Sequence, residues 1–336
     1  MKRKYRLYVI LVCFSMLGIY SVYFMEQLLR YRHIPGDDGM VPQSVVKPIC
    51  RSWHTQFEFH FGDGTPLNPS CQEALNYPSQ DYYAPSANGF DIHFKLFHDQ
   101  KMANLPDETP IWLHVHGITG DWLSAARYIE AANDLNLRLV GMDLSNHGES
   151  TNDAKGAFWG CRESSDVVAV VKRLREMYPK APLLVSAVSM GTMAVARAEK
   201  SIRTLGVKAI LLEAPIGNVI STLPGLLRPI GRLALDFRSW KDDLDLNVCD
   251  ANEAIPEFAT PTLIVNVAKD PYISKADALT YFDRLPNSID KRMVFFEKGI
   301  HTLAYNFNRA EFVREFKDLY TSALKLESGS QVKESK

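Results

Sequence analysis

The residue types that could do chemistry centre on Ser189. It stands in Ala187-Val188-Ser189-Met190-Gly191, after the apolar run Leu183–Val188 and before a helical pattern. A serine between small residues on a sharp strand-to-helix turn presents its hydroxyl, and the helix behind it offers the backbone N–H of Met190. Glycine is commoner than Ala187 at the first small position. A serine hydroxyl is a weak nucleophile near neutral pH and needs a base. Two later strand ends offer the partners: the run 263–267 is followed by Asp270, and the run 293–296 by His301. His301 would take the Ser189 proton and return it to the leaving group. Asp270 would orient the imidazole and stabilise its charged form. An earlier run, Ile111–Val115, leads into His116-Gly117-Ile118-Thr119-Gly120-Asp121. Its glycines let backbone N–H groups turn toward a ligand, so Ile118 is expected to join Met190 as an oxyanion donor. The chemistry is acyl transfer to Ser189 and then to water.

Plainer roles exist for the same residues. Asp270 could only cap a turn before Pro271, and His301 could be a satisfied core histidine. His114 and His116 point to one side of a strand, but no third ligand stands at a suitable spacing, and no metal or cofactor is expected. His54, His60, His93 and His98 read as surface residues. His147 reads as structural.

Strand ends must deliver the three side chains. The dense runs Ile111–Val115, 137–142, Leu183–Val188, 209–212, 263–267 and 293–296 suit parallel strands covered on both faces. Helical patterns over 122–135, 164–177 and 190–201 separate several of them, which predicts an α/β fold with a mostly parallel central sheet. Ligands gather at the carboxyl ends of such strands. Segments 57–61 and 90–96 alternate with period two and predict half-buried antiparallel strands. The stretch from about 216 to 258 breaks the rhythm. It carries Leu226, Ile230, Leu233, Phe237 and Trp240, then Asp242, Asp243 and Asp245, and predicts a small helical insertion.

With Ser189, Asp270 and His301 in that order, and the oxyanion loop before them, the chain from about residue 54 to 325 resembles the α/β-hydrolase family. The stretch Asp143 to Ser150 is similar to that family's Asp-x-x-x-x-His-Gly-x-Ser loop. The resemblance implies a helical lid at about 216–258. The plan of a basic start, one span and an outward domain, with Leu212-Glu213-Ala214-Pro215, is similar to the membrane-anchored monoacylglycerol-lipase and lysophospholipase branch. That likeness implies a lipid-like or small acyl ester as substrate. Serine aminopeptidases and thioesterases share these motifs, and a membrane-tethered binding protein on a silent scaffold is a further alternative.

The N-terminus decides the setting. Lys2, Arg3, Lys4 and Arg6 precede the uncharged stretch 7–25, which as a helix reaches about 28 Å, enough for a hydrocarbon core of about 30 Å. No pair of small residues marks a cleavage site, so an uncleaved signal anchor is expected. The basic flank places the N-terminus in the cytoplasm and the domain in periplasm, lumen or extracellular space. Cys50, Cys71, Cys161 and Cys249 follow the span. Two disulfides, Cys50–Cys71 and Cys161–Cys249, are expected on that side, with four free thiols as the alternative. The segments are then 1–26 for the basic end and anchor, 27–52 for a linker, 53–326 for the hydrolase domain, and 327–336 for a disordered tail. Of 336 residues, 46% are apolar and 23% charged, with a net charge of −1. This composition excludes wholesale disorder and argues against nucleic acid as a partner.

Overall fold

The dense apolar runs lie side by side in one sheet. The computed structural model describes residues 18–25, 76–98, 105–118, 120–153, 155–243 and 249–334, with no side chains beyond 325. The strands are β1 (Ser79–Pro85), β2 (Asp91–Phe97), β3 (Ile111–Val115), β4 (Arg138–Met142), β5 (Leu183–Val188), β6 (Val207–Glu213), β7 (Thr262–Val267) and β8 (Lys291–Phe296). Their spatial order is β1-β2-β4-β3-β5-β6-β7-β8. Strands β3 to β8 run parallel, and β2 runs antiparallel to both β1 and β4.

Alternation within each strand feeds two cores. Leu113 and Val115 of β3 and Val185 and Ala187 of β5 pack on one face. Trp112 and Leu184 pack on the other. The helices divide accordingly. A 3-10 segment, Trp122–Tyr128, and α1 (Ile129–Leu135) cover one face. Helices α2 (Glu163–Met177) and α3 (Met190–Thr204) cover the other. After β7 comes α5 (Lys275–Arg284), opened by a capping box between Ser274 and Asp277, and after β8 comes α6 (Ala304–Glu334), whose Phe312 and Phe316 join Trp112 and Tyr128.

Helix α4 (Arg228–Asp242) and four short 3-10 segments, Val219–Thr222, Gly225–Leu227, Ala251–Glu253 and Ile255–Glu257, fill the predicted insertion. A disulfide between Cys161 and Cys249 fastens its far end to the start of α2. Cys50 and Cys71 lie outside the described residues.

One expected strand needs adjustment, one strand was not expected, and one expected strand lies outside the described residues. Strand β1 had no sequence signal, because it is an edge strand with most side chains exposed. Strand β2 is buried on both faces rather than half-buried: Ile92, Phe94 and Leu96 join one core, Phe97 the other, and His93 is fully buried. The expected strand 57–61 lies outside the described residues. Of the predicted span, only 18–25 is described, and it is helical; the rest of the span and the linker 27–52 lie outside. Among the described residues no helix is long and apolar enough to cross a membrane.

Candidate active site

The site forms where the chain reverses its direction of travel across the sheet. Strand β3 has β4 on one side and β5 on the other. The segments following β3 and β5 leave for opposite faces, so a crevice opens between those two carboxyl ends. Ser189 rises from the end of β5, and the Gly117–Ile118 loop from the end of β3.

Ser189 holds φ 51° and ψ −123°. This is a left-handed conformation that costs a serine on the order of 1–3 kcal/mol and needs support from its surroundings. The support is visible. The Ser189 N–H donates to the Glu213 carbonyl at 3.1 Å, and the Thr192 N–H and hydroxyl both donate to the Ser189 carbonyl. Gly191 lies against the β3 carbonyls of Val115 and His116, too close for a β-carbon. The small residue of the motif therefore serves helix–strand contact.

His301 reaches Ser189 from the far side. Its Nε2 lies 2.9 Å from Ser189 Oγ, and its Nδ1 lies 2.8 Å from Asp270 Oδ2. The Asp270 side chain is buried. Its Oδ1 accepts the N–H groups of Tyr272 and Ile273. Asp270 thus both caps its turn and holds the imidazole, one oxygen for each task. Gly299 (φ 125°) and Thr302 (φ 63°) shape the histidine loop. Tyr272 packs edge-on to His301 with ring centroids 4.9 Å apart.

The expected oxyanion donors lie on the other side of Ser189. A β-carbon on Gly117 would sit 3.8 Å from Ser189 Oγ, so the Gly117–Ile118 backbone lines the Ser189 hydroxyl. Met190 opens α3, where the first N–H groups have no partner within the helix. The three sequence-predicted residues Ser189, Asp270 and His301 thus converge, with Met190 and the Ile118 loop beside them. An alcohol, an imidazole and a carboxylate in line can transfer the alcohol proton as it attacks a carbonyl carbon.

No family model matches the sequence, and no curated protein matches it either. Solved structures do. An esterase of Pyrococcus furiosus superposes with a TM-score of 0.57 at 14% identity, over 75% of this chain and 95% of its own. DcsB, solved with its substrate analogue, gives 0.59 at 14% identity over 73% and 100%. Est1E of Butyrivibrio proteoclasticus, solved with ferulic acid bound, gives 0.54 at 16% identity over 72% and 99%. This chain has the α/β-hydrolase fold.

Within that fold, further residues support the site, among them His147, which the sequence reads as structural. Two buried histidines pin the oxyanion loop. His116 Nε2 accepts the Leu144 N–H, which fixes the proton on Nδ1, and Nδ1 donates to the Gly117 carbonyl at 2.6 Å. That carbonyl belongs to the same peptide unit as the Ile118 N–H. His147 Nε2 lies 2.6 Å from the Ile118 carbonyl, and its Nδ1 lies 3.0 Å from the Ser145 carbonyl. Burial lowers the His147 pKa, opposed by those two carbonyls.

Asp143 organises the loop that carries His147. Its carboxylate accepts the N–H groups of Trp122 and Glu149 and a ring nitrogen of His93. His93 is therefore no surface residue. It is fully buried, with Asp143 at 2.7 Å and Asp81 at 2.8 Å. Burial works against its charge, but the bonds to the two carboxylates prevail and raise its pKa. Asp81, His93 and Glu149 offer three ligand atoms close enough for an ion, yet both His93 nitrogens are engaged and Lys95 pairs with Asp81. His114 bonds to Ser186 rather than joining His116 in a metal pair. Asp121, at the end of the oxyanion loop, is pushed up to about 8 by burial and by neighbouring Asp143.

Glu213, at the end of β6, was visible only as part of a short stretch. It is buried, and burial raises its carboxyl to about 7 against the bond it accepts from the Ala304 N–H. Arg127 donates to the Thr302 carbonyl at 2.7 Å and steadies the histidine loop from the opposite side.

Proposed function

We propose that the protein is a serine hydrolase that cleaves a carboxylic ester through an acyl-enzyme on Ser189. The observation that carries this reading is the single imidazole of His301 joined to Ser189 Oγ and to Asp270. As Oγ attacks the ester carbonyl carbon, its proton passes to His301 Nε2 and the carbonyl electron pair moves onto oxygen. The N–H groups of Ile118 and Met190 receive that oxyanion, each worth about 10²–10³ in rate. Collapse expels the alcohol, which takes the proton from His301. Water then attacks the acyl group by the same route in reverse. Asp270 stabilises the imidazolium throughout. The esterases among the similar structures support an ester as the scissile bond.

Within this reading we favour a lipid-like ester over a small soluble one. Ile230, Leu233, Phe237 and Trp240 recur at three- and four-residue spacing on one face of α4, and Leu226 extends the line. Leu226 is 92% exposed, Leu233 56% and Trp240 78%. Exposed apolar side chains on the insertion of a hydrolase suit an amphiphilic substrate. The basic flank and apolar stretch of the N-terminus support an anchor at 1–26 that holds the domain at the outer face of a membrane. The Cys161–Cys249 disulfide supports an oxidising compartment. A reporter fused after residue 50 tests this topology; activity on the cytoplasmic side overturns it.

The decisive experiment is labelling of the folded chain with a fluorophosphonate. Wild type is expected to label and Ser189→Ala to stay silent. No labelling of the folded wild type favours a binding protein. A panel of medium-chain glycerol ester, short ester, thioester and aminoacyl amide then fixes the bond cleaved. Turnover of the amide alone makes the protein an aminopeptidase, and of the thioester alone a thioesterase. Leu233→Glu is expected to slow hydrolysis of a bilayer-borne ester and to spare a water-soluble one; equal effects on both remove the lipid preference.

A further inference from the structure

We propose that Glu213 is a positioning residue that sets the separation of Ser189 and His301 by holding the nucleophile with its backbone and the histidine loop with its side chain. The inference rests on the serine-hydrolase reading. The Glu213 carbonyl accepts the Ser189 N–H at 3.1 Å. Its Oε1 accepts the N–H of Ala304 at 2.7 Å. Ala304 is the first residue of α6, and it follows His301 by two intervening residues. No other single residue described above touches both the serine turn and the histidine loop.

The choice of a carboxylate calls for a reason. One hydrogen bond to Ala304 needs only a neutral acceptor, and a buried charge is costly. Glu213 is 1% exposed, and its Oε2 has no hydrogen-bond partner. The hydroxyl of Tyr128, which interacts electrostatically with Glu213, is also unpartnered. A fold that needed only a cap would lose nothing with glutamine. A carboxylate adds negative charge that acts on the His301 side of the site. It thereby favours the imidazolium that exists while the proton is in transit. The α6 N-terminus and Arg127 in turn make the charge tolerable. Burial raises the Glu213 carboxyl to about 7, so the charge is present only near and above neutral pH.

The test uses the full chain with Glu213→Gln, Glu213→Asp and Glu213→Ala. Glutamine keeps the acceptor and removes the charge. Aspartate keeps the charge and falls short of Ala304. On a short soluble ester, alanine and aspartate are expected to lose about 10–100-fold in kcat with KM held, since a displaced base loses rate rather than substrate. Glutamine is expected to keep more of kcat than alanine. Its kcat falls short of wild type above about pH 7, where the wild-type carboxyl is charged, and approaches wild type below, where that carboxyl is protonated and glutamine mimics it. Hydrogen exchange at the Ala304 amide gives a readout independent of activity: faster in alanine and aspartate, unchanged in glutamine.

Wild-type kcat and pH profile in glutamine and aspartate overturn the proposal, as does equal Ala304 exchange in all four proteins. A folded wild type that fluorophosphonate does not label overturns the hydrolase reading, whatever the exchange result. If alanine fails to fold, the glutamine and aspartate variants still decide.

Discussion

Gly191→Ala is the sharpest structural test of how the nucleophile is held. A β-carbon at residue 191 would overlap the His116 carbonyl oxygen, and it would come within 2.8 Å of the Val115 carbonyl oxygen and 3.1 Å of Val115 Cγ1. Two of these neighbours are backbone atoms at the end of β3, so no rotamer change relieves the overlap. Helix α3 must move away from the strand, and Ser189 is the residue directly before that helix. His116 carries the oxyanion loop, so both sides of the reacting centre shift. Overpacking of this kind costs about 1–3 kcal/mol, or roughly 2–6 °C in Tm for a domain of this size. A displacement near 1 Å costs about 100-fold in rate. Differential scanning calorimetry and kcat on a short ester measure the two effects. Gly225→Ala is the control: a β-carbon there meets nothing within 4 Å, and a change within about 0.5 kcal/mol is expected. If Gly191→Ala matches that control in both Tm and kcat, the tight elbow is not what holds Ser189.

Three further outcomes follow from the geometry. His147→Ala leaves the Ile118 carbonyl unpinned, so kcat on a soluble ester should fall by at least about 10-fold at nearly constant KM; an unchanged kcat refutes the pinning of the oxyanion loop. The Cys161–Cys249 bond spans 88 residues, for which loop entropy allows up to about 4.6 kcal/mol. Without reductant, the Cys161→Ser, Cys249→Ser variant should therefore melt about 10 °C below wild type. Burial raises Asp166 to about 7, with its Oδ2 accepting the Ser145 N–H and its Oδ1 unpartnered. A raised folded pKa gives stability that is complete below the unfolded value near 3.8 and is lost as pH rises toward 7. Asp166→Asn should flatten the fall in Tm between about pH 4 and 7, and an identical slope counts against the buried carboxyl.

The fold was legible because its signals are local. Runs such as Ile111–Val115 and Leu183–Val188 are apolar at every position, and a strand covered on both faces demands that. The insertion showed itself by its length and by an apolar cluster that breaks the strand–helix rhythm. Strand β1 left no trace, since its exposed residues follow no burial pattern. Helix α5 did leave one in its Ser274–Asp277 capping box, which a search for caps rather than apolar runs would have found.

The site was legible only where a residue type and a strand end coincide. Ser189, Asp270 and His301 each follow a strand, so topology alone brings them to one edge. His93 also alternates along a strand, yet nothing in its sequence setting separates a surface histidine from one held between Asp81 and Asp143; that distinction depends on which strand lies beside it. Glu213 is harder still. Its role depends on a carbonyl that faces β5 and a carboxylate that faces α6, and Ala304 lies 91 residues later in the chain. Sequence names the groups that react. The groups that hold them in register are chosen by contacts between distant segments, and only the folded chain displays them.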